Sequence, residues 1–122
     1  MINETNIINI PTTLSTEAML PQYMHGSGDA CCDLYAAYET VILPHSTVLV
    51  PTDIRVAVPE GYAMLICSRS GLALKTNLFV LNAPGIIDPS YRGNIGVILH
   101  NLSDQPVTIT RGSRIAQAML IK

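Results

Sequence analysis

Leu81-Asn-Ala-Pro-Gly-Ile-Ile-Asp-Pro-Ser-Tyr-Arg-Gly-Asn-Ile-Gly96 lies between an apolar run that leads in, Leu78 to Leu81, and another that leads out, Ile95 to Leu99. Two glycine-bounded turns between apolar runs predict two strands joined by a structured hairpin. Pro84 and Pro89 carry no N–H, so the short strand between them is expected to leave part of its backbone unpaired. Those free donors and acceptors would face a cavity suited to a flat heterocycle with an amide-like edge. Asp88 would stand at its lip and Tyr91 beneath. On its own, Asp-Pro-Ser is equally a turn starter.

Working outward, 122 residues suit one domain with a single core, expected over residues 1–122. Charged residues make up 13% of the chain, against roughly 25% in an average domain. So few charges on a domain this small imply that some of its surface is buried in an oligomer. The net charge of −2 argues against nonspecific nucleic-acid binding. One Phe and no Trp leave little to stack single-stranded bases on.

The charges are unevenly placed. Residues 1–68 hold seven acids and one base, Arg55, whereas residues 69–122 hold six bases against Asp88 and Asp104. A polyphosphate would look to the second half, and a divalent metal to carboxylates. Cys31, Cys32 and Cys67 are odd in number and include an adjacent pair, which suits neither a disulfide framework nor a CxxC zinc site. His25, His45 and His100 lack ligand spacing. No apolar run approaches membrane length and Met-Ile-Asn-Glu lacks the features of a secretory leader, so the expected compartment is the cytoplasm.

In chain order, Asn6 to Ile10 is expected as an opening strand closed by Pro11, with Ser15 capping one helical turn through Leu20. Cys31 to Ala37 reads as a strand with Asp33 inside it, a carboxylate out of place in a core and plausible in a site. Short β-rich runs follow, ended by Pro44, Pro51 and Pro59-Glu-Gly61. Tyr62 to Cys67 is apolar on both faces and so expected buried on both. Val107 to Thr110 and Ile115 to Ile121 complete a sandwich or barrel. Ser70-Gly-Leu-Ala-Leu-Lys75 breaks the pattern as a short helix, with Ser70 expected as its cap. Arg69 and Ser70 at its start make a weak anion-site signal.

Four segments resemble, in order and spacing, the motifs of the trimeric dUTP pyrophosphatase (dUTPase) family: Ala30-Cys-Cys-Asp-Leu-Tyr-Ala-Ala37, Arg69-Ser-Gly-Leu-Ala-Leu-Lys75, Asn82-Ala-Pro-Gly-Ile-Ile-Asp-Pro-Ser-Tyr-Arg-Gly93 and Gly112-Ser-Arg-Ile-Ala-Gln117. The second and third are specific, and the resemblance covers nearly the whole chain. It implies an all-β, jelly-roll-like fold with one short helix after the second motif. It also implies a homotrimer with shared active sites and Mg²⁺-dependent cleavage of dUTP to dUMP and pyrophosphate. Asp88 matches the carboxylate that activates the attacking water. Asp33 matches the aspartate that holds the metal's water shell without ligating the metal. Arg69, Ser70, Gly71 and Gln117 match phosphate-binding positions. Asn82 and the backbone from Gly85 through Ile87 match the uracil-binding hairpin, and Tyr91 the ring that packs on deoxyribose. Arg114 is expected to support structure rather than touch ligand.

Three departures stand against the pattern. Cys31 stands where the family commonly has glycine and Ser113 where it commonly has aspartate, while the family's fifth motif, a glycine-rich closing arm, has no counterpart within residues 1–122. The last leaves a dUTP-binding or regulatory trimer with weak turnover as the alternative. A dCTP deaminase-type enzyme of the same fold would call for a catalytic glutamate near the hairpin, and residues 69–122 contain none.

Overall fold

Short runs of alternating apolar residues can bury one face only by pairing with partners distant in sequence, and the long strand near the C-terminus supplies that pairing. A computed structural model describes residues 7–122. Its strands are β1 (Thr12–Leu14), β2 (Cys32–Tyr35), β3 (Thr40–Ile42), β4 (Thr47–Pro51), β5 (Ile54–Val56), β6 (Ala63–Cys67), β7 (Leu78–Val80), β8 (Gly85–Ile87), β9 (Gly96–Asn101), β10 (Val107–Ile109) and β11 (Arg114–Ile121), with one α-helix, α1 (Ser70–Thr76), between β6 and β7. The first large sheet runs β2-β11-β6-β8 and the second β4-β9-β7, and the ribbons β1-β5 and β3-β10 accompany them. All pairings within these sheets are antiparallel.

The core lies where the inward residues of these sheets meet. Leu34, Ala116, Ala118 and Ile66 come from the first large sheet, Val50, Val97, Leu99, Leu78 and Val80 from the second, and Ile42, Ile54 and Ile109 from the ribbons. The polar groups that enter it are satisfied. Thr52 Oγ1 donates to the Ile95 carbonyl at 2.7 Å. Asn101 Nδ2 donates to the carbonyls of Ile42 and Gln105, and its Oδ1 accepts from Ser103. Leaving any of these unpaired would cost about 1–3 kcal/mol.

Two features position the site. Along β11, Arg114 faces Tyr35 and Ala116 faces Leu34, so two steps on one strand oppose one step on the other. This is a β-bulge. Side chains three apart on a regular strand point to opposite faces, but the extra residue brings Arg114 and Gln117 to the same face as Asp33. The second feature is β8, which pairs with β6 as the last strand of its sheet. Among the described residues no strand pairs with its other edge, as Pro84 and Pro89 lead one to expect. The runs on either side of it, β7 and β9, pair with each other instead.

Several local expectations are corrected. The opening strand comes after Pro11, over Thr12–Leu14, because the Pro11 carbonyl accepts from Ala57 N and the next three residues pair with β5; Asn6 lies outside the described residues. Ser15 caps no helical turn: its hydroxyl donates to Asp53 and accepts from Glu17 N across a simple turn. In β6, Met64 and Ile66 are buried, but Ala63, Leu65 and Cys67 are only half-buried. The cap of α1 is Arg69 in extended backbone and Ser70 is the first helical residue. At the other end Asn77, at φ 60°, closes the helix through its N–H to the Ala73 carbonyl.

Candidate active site

Asp33 is nearly buried, and a bare carboxylate there would be costly. It is paired instead. Arg69 Nε donates to Asp33 Oδ1 at 3.1 Å, and Arg114 Nη1 stands 3.9 Å from Asp33 Oδ2. Arg69 is in position because α1 begins one residue later, and the bulge in β11 delivers Arg114. Gln117, cross-strand from Asp33, donates through Nε2 to the Ser68 carbonyl at 2.9 Å. That bond ties β11 to the residue just before Arg69.

These groups line one cleft of about 590 Å³, together with Ser70 and Gly71. Five expected site residues (Asp33, Arg69, Ser70, Gly71 and Gln117) thus meet in one place. Ser70 is exposed and, among the described residues, its hydroxyl has no hydrogen-bond partner. Two guanidiniums, an open hydroxyl and a side-chain amide form a donor set for phosphate oxygens. Arg114, expected to support structure, also lines this cleft. Its position three residues before Gln117 hid it, since only the bulge puts both on one face.

The cleft also holds Cys31, His25 and Asp29, none of them expected there. Burial pushes the Cys31 thiol up, and the Cys67, Asp33 and Asp29 charges act in the same direction, so at neutral pH it is a protonated thiol. The Asp29 carboxyl is pulled below the usual range, first by the His25 backbone N–H at 2.7 Å and then by the His25 ring at 3.1 Å.

The other expected residues lie elsewhere on the chain. Asn82, Gly85 and Ile87 line a small cavity of about 70 Å³ against the open edge of β8. Gly85 is closely flanked there: a Cβ on it would stand 3.2 Å from Asn82 Nδ2 and 3.5 Å from Ile66 Cβ. Ile87, Asp88 and Tyr91 line an adjoining cleft of about 230 Å³. The Tyr91 hydroxyl donates to the Asn94 carbonyl at 2.6 Å. Its ring crosses Gly93 so closely that a Cβ there would lie 2.6 Å from the hydroxyl oxygen.

These two regions share no lining residue with the Asp33 cleft. The register explains the separation. β8 is three strands from β2, about 14 Å at the usual spacing. Asp33 stands level with Cys67 through Gln117, whereas Asp88 follows Ile87, which faces Met64. Together these offsets put Asp33 on the order of 20 Å from Asp88, whereas reacting groups must come within about 3–3.5 Å of their target.

Among the described residues no group of three or more His, Cys, Asp and Glu comes together as a metal site. The carboxylates of this cleft, Asp29 and Asp33, fit a hard divalent cation that takes most of its ligands from substrate oxygens and water. Among the described residues no helix is long and apolar enough to cross a membrane.

Comparison with known proteins agrees with this architecture. The dUTPase family model matches residues 16–122. A deoxyuridine 5'-triphosphate nucleotidohydrolase of a Hydrogenobaculum species is 49% identical over 109 residues, covering 88% of this chain and 75% of the relative. The solved dUTPase of Staphylococcus bacteriophage 80alpha with dUpNHpp superposes at a TM-score of 0.85 with 29% identity, over 93% of this chain and 82% of that one. A mutant dUTPase from phage phi11 of S. aureus, described with a structural Mg(II) ion, gives 0.86 with 27% identity, over 93% and 90%. The all-β, jelly-roll-like arrangement with one short helix is therefore the fold of this chain.

Proposed function

The chain belongs to the dUTPase family, and we propose that it hydrolyses dUTP to dUMP and pyrophosphate by attack of an activated water on the α-phosphorus. The observation that carries this reading is the pairing of a phosphate-donor cleft around Asp33 and Arg69 with a separate open strand edge at Gly85–Ile87. One offers charge-assisted donors for a triphosphate, and the other offers unpaired backbone for an amide-like base edge.

In this reading the uracil edge pairs with the free backbone of β8 beside Asn82, where Gly85 leaves room. The deoxyribose packs on Tyr91, which leaves no space for a 2′-hydroxyl. Arg69, Ser70, Gly71 and Gln117 hold the phosphates, and Arg114 adds charge from the same cleft. Asp88 accepts the proton of the attacking water. Asp33 keeps Arg69 aligned and would hold the water around a bound metal. Bound Mg²⁺ would neutralise phosphate charge. The rate advantage comes from approach geometry and from charge stabilised as it develops.

The separation of Asp33 from Asp88 within one chain supports a homotrimer with shared sites, in which one copy supplies the Asp33 cleft and a neighbour the Asp88 region. Exposed apolar side chains such as Leu49 (62%) and Ile86 (63%) give such an assembly surface to bury. One domain over residues 1–122 carries this chemistry, and the three free thiols support a cytoplasmic setting.

The test is pyrophosphate release from dUTP with Mg²⁺, beside binding of a non-hydrolysable dUTP analogue. Asp88→Asn should keep analogue binding and lose turnover by roughly 10²–10⁴-fold, the effect of losing a positioned general base. Near-normal kcat in that variant would remove Asp88 from this role.

A further inference from the structure

Tyr91 is a poor shape filter unless something holds it. Its ring is exposed, and an exposed aromatic side chain is free to change rotamer. A filter that excludes one hydroxyl needs its wall fixed to within about 0.5 Å. The hydroxyl of Tyr91 is spent on the Asn94 carbonyl. That carbonyl lies in the loop before β9, in the peptide whose N–H, on Ile95, is bonded to β5, and the rest of Asn94 is left to a side-chain contact.

Arg55 supplies that contact. Its Nε donates to Asn94 Oδ1 at 3.2 Å. Asn94 stands between two clefts, the one that holds Asp88 and Tyr91 and a polar one of about 310 Å³ that holds Arg55, Ser15 and Asp53. Arg55 is itself anchored, since β5 pairs with β1 and places it opposite Thr13. On the far side of Asn94, Ile95 N donates to the Ile54 carbonyl at 2.8 Å. Asn94 is thus held to β5 through both its side chain and the peptide that carries its carbonyl, and Arg55 is the side-chain half of that hold. The Arg92 guanidinium closes the other end of the loop on the carbonyls of Pro89 and Tyr91.

We propose that Arg55 is a positioning residue that acts through Asn94 to fix the Tyr91 ring, and so sets how sharply deoxyribose is told from ribose. The proposal rests on the reading of Tyr91 given above. It assigns Arg55, in a different strand and outside the reaction cleft, a role in specificity.

The test is the ratio of kcat/KM for dUTP to that for UTP in the intact protein, compared across a double-mutant cycle. Arg55→Ala and Tyr91→Phe should each lower the ratio roughly three- to tenfold, the scale of one net hydrogen bond. The double variant should fall no further than the worse single one, because both changes cut the same link. Asn94→Ala breaks that link from its middle and should give the same loss if Arg55→Ala folds poorly. Tyr91→Ala serves as the reference. If Tyr91→Ala lowers the ratio while Arg55→Ala and Asn94→Ala leave it at the wild-type value, the proposal is overturned and the Tyr91 reading stands. Additive effects in the cycle would overturn it as well. An unchanged ratio in Tyr91→Ala would remove the filter itself, and this proposal with it.

Discussion

Arg69 Nε meets Asp33 Oδ1 at 3.1 Å, with Asp33 only 7% exposed at the base of a cleft whose mouth carries Ser70. The pair links a strand-borne carboxylate to the residue that caps the only α-helix among the described residues, so under the proposed function folding and phosphate binding share one contact.

Arg69→Ala should therefore affect both. It strands a nearly buried carboxylate with Arg114 alone nearby, and about 1–3 kcal/mol of stability should be lost. Analogue binding should weaken as well. Arg69→Lys should recover stability better than binding, because it restores charge without the planar fork. Urea denaturation midpoints beside analogue Kd values check this, and unchanged stability in Arg69→Ala would contradict it.

Gly85→Ala should separate binding from folding. The added Cβ meets Asn82 Nδ2 at 3.2 Å and Ile66 Cβ at 3.5 Å, contacts that a small shift can absorb. The same methyl stands beside Asn82 and Ile66, two residues that line the small cavity at β8. Thermal stability should change by less than about 1 kcal/mol, while the Kd for dUMP should rise roughly tenfold or more. Calorimetric titration and a melting curve on one sample measure both quantities.

Gly93→Ala should displace Tyr91, since the new Cβ would overlap the phenol at 2.6 Å. Gly93 lies outside the left-handed region, so the backbone can accept alanine. The expected result is a folded protein whose preference for dUTP over UTP falls toward that of Tyr91→Ala. Steady-state kinetics with both nucleotides would show it, and a preference equal to wild type would mean that the ring does not need this space.

The pH dependence of the cleft rim follows from Asp29. Its folded pKa lies below the unfolded value of about 3.9. The stabilisation is therefore present above that value and is lost as pH falls through the depressed folded pKa. Titration followed through the His25 backbone amide resonance should show its main shift below about pH 4. A main shift above about pH 5 would contradict the assignment to Asp29.

Much of this was legible in the sequence, for reasons that particular residues make plain. Pro84 and Pro89 announced a strand that could not pair on both sides, and β8 is an edge strand. Asp33 within an apolar strand pointed to a site, and it lies in a cleft with paired cations. The helix after Arg69 was legible from its residue types, but its first turn was not, since an extended Arg69 held by Asp33 occupies the position a capping serine would take. The place of Arg114 depends on a bulge, and a bulge exists only relative to a partner strand, here β2, some 80 residues earlier in the chain. The same holds for the division of the site, because motif spacing along a chain carries no distance through space.

The claim that matters most is that Asp33 and Asp88 act together from different copies of the chain, and co-refolding two inactive variants tests it directly. Asp33→Asn and Asp88→Asn should each show little dUTP turnover alone. Refolded together in equal amounts, they should form mixed trimers in which about a quarter of the sites pair an intact Asp33 with an intact Asp88 from a neighbour. Turnover should then rise to roughly a quarter of the wild-type value. A mixture that assembles into mixed oligomers and stays as inactive as either parent would contradict the account.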